Sequence, residues 1–322
     1  MLNEGMIMYR NVMVPVDGSP FSREAVLQGL RIASRSGATL RLVRVGTSSV
    51  LGAAPDNFGA ESQALRQIQA AELSDLYSIA AECRAHSTVT VTASIQHGPV
   101  ADALIGYARR QNVDLIVMRS HTRKGFARAW FGSVADALIR ESGIPVLVVK
   151  APSVSTALAS GFCFNRILVP LDGSLLAEQS LDAAVAMARI DGATITLLKV
   201  LSPSRVRSSN QLESAVGPAA AKEVAAAQRY LESCLAGERG ISVQRRVVIA
   251  EDVPHAILVM AENTESDLIA IATHGRGAIA RATVGSVADH VVRRAPISTM
   301  VVHPMLRISK MEQDAIHLMA AP

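Results

Sequence analysis

One half of this sequence is written again in the other half. Residues 10–19 read RNVMVPVDGS and residues 165–174 read NRILVPLDGS, which sets Asp17 and Asp172 155 positions apart. DLIVMRSH at 114–121 returns as DLIAIATH at 267–274, and GSVADALIR at 132–140 returns as GSVADHVVR at 285–293, each 153 positions later. Three blocks in one order at nearly constant offset require a duplicated structural unit. The chain has 322 residues, so each unit is of ordinary domain size. The expected units are 8–150 and 162–304, joined by a linker at 151–161 (APSVSTALASG, small, polar and broken by Pro and Gly) and followed by a tail at 305–322.

Within each unit, strand-like and helix-like segments alternate. In the first, 12–16, 38–45, 89–95, 114–120 and 144–149 read as strands, with helices beginning after Ser19-Pro20 and near Glu61, Val100 and Gly132. The Ser19 hydroxyl suits a helix cap, and Pro20 fits a first turn. In the second, Val224, Leu231 and Leu235 recur at helical spacing. Such alternation implies parallel strands linked by right-handed crossovers, hence a doubly wound α/β sheet in each unit. Composition agrees: 49% of residues are hydrophobic but only 3% aromatic, so the core must be Val, Ile, Leu and Ala, as in strands buried on both faces. Met118 and Met300 are expected to fill core space. Segments 46–60 and 202–220, rich in Gly, Ser, Pro and Asn, differ between the units and read as variable loops.

The 32 basic and 28 acidic residues are interspersed, leaving a formal charge of +4. Without a basic stripe interleaved with aromatics, no nucleic-acid partner is expected. The three cysteines, Cys83, Cys163 and Cys234, are too widely spaced for a disulfide framework or a zinc site. No apolar run reaches the roughly 18 residues of a membrane span, and MLNEGMIMYRN lacks the pattern of a secretory signal. The expectation is a cytoplasmic protein with no membrane partner.

The segments that recur most closely are the turns after strands 1 and 4 and the helix start that follows the second. Doubly wound sheets take ligands beyond the carboxyl ends of their strands, where chain order reverses. Asp17 and Asp172 can accept hydrogen bonds from a ribose hydroxyl or a base amine; equally, Asp-Gly-Ser is a tight turn with a helix cap. In the second unit Ala272-Thr-His274-Gly275 is followed by nine residues and then Gly285-Ser286. Small residues there admit a phosphate to the backbone, and the helix start offers free N–H groups. Arg276 adds charge suited to phosphate oxygens. The run Gly275-Arg276-Gly277-x-x-Ala280 also fits a dinucleotide fingerprint, but it follows the fourth strand of its unit and lacks the acid about 20 residues on. His121 and His274 hold matching positions, with neither a nucleophile motif nor metal-ligand spacing around them, and suit a loop-orienting hydrogen bond.

On these residues the chain resembles the universal stress protein family, in tandem form, over essentially 8–304. ATP-binding members carry Gly-x-x-Gly, nine residues, then Gly-Ser or Gly-Thr, with an Asp after strand 1. The resemblance implies two five-stranded sheets of order 3-2-1-4-5, of the adenine nucleotide alpha hydrolase-like kind. It also implies dimerisation through the last strand, which here can fall between the halves as an internal pseudo-dimer, with a further homodimer left open. The nucleotide-binding set it implies is Pro170, Asp172, Val200, Ala272, His274, Gly275, Arg276, Gly285, Ser286 and Val287, and in the first half Pro15, Asp17, Val45, Gly98, Gly132 and Ser133. Val45 and Val200, ending strand 2, would lie by the adenine; as core valines they fit equally well.

Two departures matter. The first half replaces both leading glycines, by Arg119 and Thr122, whereas the second changes only one, to Ala272. Conversely His97-Gly98-Pro99 matches the family's glycine turn after strand 3, where the second half has Glu251. The second half is therefore expected to bind ATP better, and Arg119, which both crowds and attracts phosphate, leaves the first undecided. The implied cofactor is ATP, with Mg beside it, and the implied role is regulatory, the nucleotide acting as a conformational or oligomeric signal in the stress response. No general base or metal-binding carboxylate pair is evident near the loop, so at most weak ATP hydrolysis is expected. The alternatives are a slow ATPase or nucleotide-processing enzyme, for which Asp17 or Asp172 would be the first candidate, and a nucleotide-independent scaffold.

Overall fold

Aliphatic runs of four to eight residues become the strands, and the computed structural model describes residues 9–46, 60–119, 132–150, 162–203, 218–273 and 285–303. The first half runs β1 (Asn11–Pro15), α1 (Pro20–Ser36), β2 (Thr39–Val45), α2 (Ala60–Ala85), β3 (Val91–Gln96), α3 (Val100–Arg110), β4 (Leu115–Arg119), α4 (Ser133–Glu141) and β5 (Val146–Val149). The second repeats it as β6 (Arg166–Pro170), α5 (Leu175–Asp191), β7 (Thr194–Leu201), α6 (Pro218–Ser233), β8 (Val243–Ile249), α7 (Val253–Asn263), β9 (Leu268–Ala272), α8 (Ser286–Arg294) and β10 (Ser298–Val302). The linker at 151–161 and the tail at 305–322 lie outside the described residues, as do His121, Thr122, His274, Gly275 and Arg276.

Helices α1 and α5 show how closely the local code is copied. Each has 17 residues and starts at a serine whose hydroxyl accepts a first-turn N–H, Ser19 from Ser22 and Ser174 from Ala177. Each ends at a glycine in the left-handed region, Gly37 at φ 70° and Gly192 at φ 72°, which a side chain would strain. Leu231 is fully buried as its spacing predicts. Leu235 is not helical: α6 stops at Ser233, and Leu235 turns the chain at φ 59°. The second variable segment likewise gives way to α6 at Pro218.

Each half has the strand order 3-2-1-4-5, all parallel. The two five-stranded sheets do not stay separate. β5 and β10 pair antiparallel, Leu147 opposite Met300, and complete one ten-stranded sheet. Both strands are buried along their whole length. Met300 fills this core, as expected.

Side chains reinforce the seam unequally. Arg31 of α1 grips Asp191 of α5 with both terminal nitrogens, and Asp191 also accepts the Phe164 N–H at 2.8 Å. The carboxylate is wholly buried and Arg31 nearly so, with side-chain exposures of 0% and 8%. Gln28 exchanges two 3.0 Å hydrogen bonds with the Phe162 backbone. Lys150 reaches across the seam to the Ala295 carbonyl at the end of α8, where a cation suits the helix dipole. Burial lowers its pKa.

At the amino-terminal ends of the strands the halves match again. Asp114 accepts the Arg10 and Asn11 N–H groups at 2.7 and 3.1 Å, and Asp267 accepts those of Asn165 and Arg166 at the same distances. These aspartates belong to the repeated DLI blocks and stand at the amino-terminal ends of β4 and β9. The three cysteines are free, and burial pushes the Cys83 thiol up to about 11. Among the described residues, no helix is long and apolar enough to cross a membrane.

Candidate functional site

In the order 3-2-1-4-5 the strand order reverses between the parallel neighbours β1 and β4, which leaves a gap beyond their carboxyl ends. In the first half this gap is a crevice of about 390 Å³. Val43, Val45 and Met118 line it with apolar atoms; Pro15 and Asp17 border it from β1, and Gly132 and Ser133 from the start of α4. Five of the six first-half residues singled out from sequence are thus brought together. The sixth, Gly98, is not part of the lining; its φ of 110° shows that the turn after β3 itself requires a glycine. Met118, expected in the core, serves the core and the crevice at once.

Asp17 is held by the turn that it makes: its Oδ1 accepts the Ser19 N–H at 2.9 Å. Asp172 does the same with Ser174, accepting from N–H at 2.9 Å and from the hydroxyl at 2.6 Å. The tight-turn reading of Asp-Gly-Ser is therefore correct in both halves. It also fixes each carboxylate at the end of its strand.

Helices α1, α5 and α7 are capped by the side chains of Ser19, Ser174 and Asp252. Helices α4 and α8 instead start from Gly132 and Gly285 with no side-chain cap. A helix start without a side-chain cap at its first residue is suited to an anion. The acid in each first turn is neutralised one turn on, Asp136 by Arg140 at 2.9 Å and Asp289 by Arg293 at 2.7 Å. In the second half the Gly285 N–H donates to the Thr273 carbonyl at 2.6 Å, which fastens the start of α8 beside the end of β9. That bond brings Ala272, Gly285, Ser286 and Val287 to one corner, while Pro170 ends β6 and Val200 lies in β7.

The far wall carries residues that sequence reading passed over. Arg44, next to Val45, pairs with Glu72 at 3.6 Å and Asp75 at 3.1 Å, both from α2. Its guanidinium lies against Gly18, where a Cβ would sit 3.2 Å away. A charged residue in an aliphatic strand was the available signal. In the second half Lys199 replaces Arg44 and stands 4.7 Å over the Tyr230 ring, whose hydroxyl donates to Glu178 at 3.0 Å. Burial, with Cys234 and Glu178 nearby, pushes the Tyr230 hydroxyl above its ordinary range.

Arg119, the residue in place of a glycine, lines the crevice from the end of β4. Its guanidinium is paired with Glu24 of α1 and stands 4.9 Å over the Phe21 ring. Burial lowers its pKa, although a guanidinium stays charged.

Comparison with known proteins agrees with this architecture. The model of the universal stress protein family matches residues 8–150 and again 164–303. A universal stress protein of Methanocaldococcus jannaschii is 29% identical over 153 residues, 47% of this chain and 88% of that protein. One of Mycobacterium tuberculosis is 29% identical over 191 residues, 58% of this chain and 61% of that protein. Among solved structures, a universal stress protein of Archaeoglobus fulgidus has a TM-score of 0.66 at 20% identity, covering 92% of this chain and 99% of that one. A Pseudomonas aeruginosa protein described as functionally unknown has a TM-score of 0.61 at 16% identity, covering 96% and 95%. The structural likeness is one of fold.

Proposed function

The chain belongs to the universal stress protein family, and from that membership we propose that it binds ATP beyond the carboxyl ends of its strands and uses the bound nucleotide as a regulatory signal. The observation that carries this reading is the first-half crevice. Its apolar lining suits a base, the fixed Asp17 carboxylate suits ribose hydroxyls, and the uncapped start of α4 suits a phosphate. Its volume of about 390 Å³ falls within the roughly 300–1,000 Å³ of small-molecule sites.

In this reading the second half is the tighter site. Asp172 and Val200 repeat the roles of Asp17 and Val45, Ala272 leaves room where Arg119 stands, and Gly285, Ser286 and Val287 present the helix start. His274, Gly275 and Arg276 complete the set from sequence. Mg, where present, would be carried on the nucleotide's phosphates with several waters of its own. The protein acts in the cytoplasm, as one chain or as a further dimer.

The test is direct. Freshly purified protein is denatured, released nucleotide is identified by chromatography, and ATP affinity and phosphate release are measured on the native chain. Bound adenine nucleotide, or measurable ATP affinity with little phosphate release, supports the proposal. Absence of both overturns it, and appreciable turnover moves the reading to an ATPase.

A further inference from the structure

At the ends of β4 and β9 the two halves differ by a pair of residues, not by one. Helices α1 and α5 have equal length and equivalent caps, so Glu24 and Gln179 are counterparts, each the fifth residue of its helix. Arg119 and Ala272 are counterparts at the ends of β4 and β9. The first half has Arg119 paired with Glu24; the second has Ala272 and Gln179. Gln is nearly isosteric with Glu. What separates the halves at this corner is therefore the joint loss of one positive and one negative charge, together with the arginine's bulk.

A guanidinium at the mouth of a phosphate site ordinarily strengthens anion binding, because its donors match phosphate oxygens. Here those donors already face a carboxylate of the same chain. Both members are largely buried, with side-chain exposures of 22% for Arg119 and 23% for Glu24, so the pair is weakly screened. An incoming polyphosphate would have to displace Glu24 and then lie beside a carboxylate left without its partner. The Phe21 ring under the guanidinium fixes its position further.

We infer that Glu24 is a built-in competitor for the ligand's phosphates, and that the Arg119–Glu24 pair sets the first-half crevice against polyphosphates. The inference rests on the nucleotide reading and deepens it. Removal of the carboxylate alone frees Arg119 for the ligand. Removal of the arginine alone exposes the ligand to Glu24. Removal of both reproduces the uncharged Ala272 and Gln179 of the second half.

The full chain is titrated with ATP calorimetrically as wild type, Glu24→Gln, Arg119→Ala and the double variant. Fluorescence of Trp130, the single tryptophan, which falls between Arg119 and Gly132 in the sequence, is followed in parallel to assign events to the first half. Glu24→Gln is expected to tighten the first-half site about tenfold, the scale of one hydrogen bond to a charged group. Arg119→Ala is expected to weaken it, and the double variant to recover from that loss. Tightening by Arg119→Ala would mean that the arginine is a steric plug and would overturn the inference, as would an unchanged Glu24→Gln. If Arg119→Ala does not fold, Glu24→Gln decides alone. Wild type that binds ATP beside an unresponsive Glu24→Gln removes only this inference, whereas no ATP binding by any of the four chains removes the nucleotide reading as well.

Discussion

Arg44 and Lys199 occupy the same place in the two halves, and they are neutralised in different ways. Arg44 is pinned between two carboxylates of α2, Glu72 and Asp75, while Lys199 lies over the Tyr230 ring, whose hydroxyl is given to Glu178. Across the same crevice, Arg119 with Glu24 becomes Ala272 with Gln179. The backbone has been copied far more faithfully than the walls. Sheet order and strand pairing depend on aliphatic burial and tolerate any similar run, whereas each charge near the crevice needs its own partner. In this duplicated fold the framework stays, while the partners of each charge by the crevice are set separately in each half.

The largest effect should come from the seam, where the halves differ most. Arg31 corresponds to Ala186, and Asp191 to Ser36. Arg31→Met leaves the buried Asp191 with only the more distant and more exposed Arg35, at 3.8 Å, and is expected to lower unfolding stability by about 3 kcal/mol, measured by denaturant titration. Ser36→Ala, which removes only a hydroxyl bonded to the Ile32 carbonyl at 2.7 Å, should cost about 1 kcal/mol. Equal costs would show that the seam is held by β5 and β10 alone.

Next comes the contact between helix and sheet. A Cβ on Gly29 of α1 would meet Val14 Cγ2 at 2.6 Å, yet the counterpart in α5 is Ala184, fully buried. Gly29→Val should cost about 3 kcal/mol through overpacking; Ala184→Gly should cost about 1 kcal/mol through helix propensity. A well-tolerated Gly29→Val would mean that α1 sits no closer to its sheet than α5 does.

The smallest effect concerns a point at which the halves should not differ. Burial raises both Asp114 and Asp267 above the ordinary carboxylate value of 3.8. The folded state then holds the proton more tightly than the unfolded one, so this contribution is fully present below the ordinary value and lost as pH rises through the raised one. Asp114→Asn and Asp267→Asn should each gain on the wild type, and by similar amounts, as pH increases across that window. Urea midpoints as a function of pH check it. A variant that loses ground with rising pH would show that the two backbone N–H groups govern, holding the charged form.

Much of this fold was legible because it rests on local signals. Repeated blocks located strands 1 and 4 of each half and the turn after the first, and Ser19-Pro20 marked a helix start that the hydroxyl does cap. The turn residues Asp17 and Asp172 were also within reach, since their hydrogen bonds run to a residue two positions away. What was not legible depends on distant partners. Nothing in the sequence links Arg119 to Glu24, Arg44 to Glu72 or Arg31 to Asp191, because each pair meets only after the sheet is assembled. Asp114 and Asp267 illustrate the opposite hazard: they recur inside a block that carries proposed site residues, yet they tie down the other end of the strand. Leu235 kept helical spacing past the end of its helix, where a left-handed turn overrode the pattern.

The central claim is that the second half is the tighter ATP site because it carries Ala272 and Gln179 where the first half carries the Arg119–Glu24 pair. The most direct measurement transplants the first-half pair into it. Wild type and the double variant Ala272→Arg/Gln179→Glu, in which the new arginine has its carboxylate partner, are compared by calorimetric titration with ATP, with circular dichroism confirming the fold. The tight site should weaken at least about tenfold, the difference expected from one charged hydrogen-bonding partner. An unchanged tight site in a folded double variant would contradict the claim and place the stronger nucleotide binding in the first half.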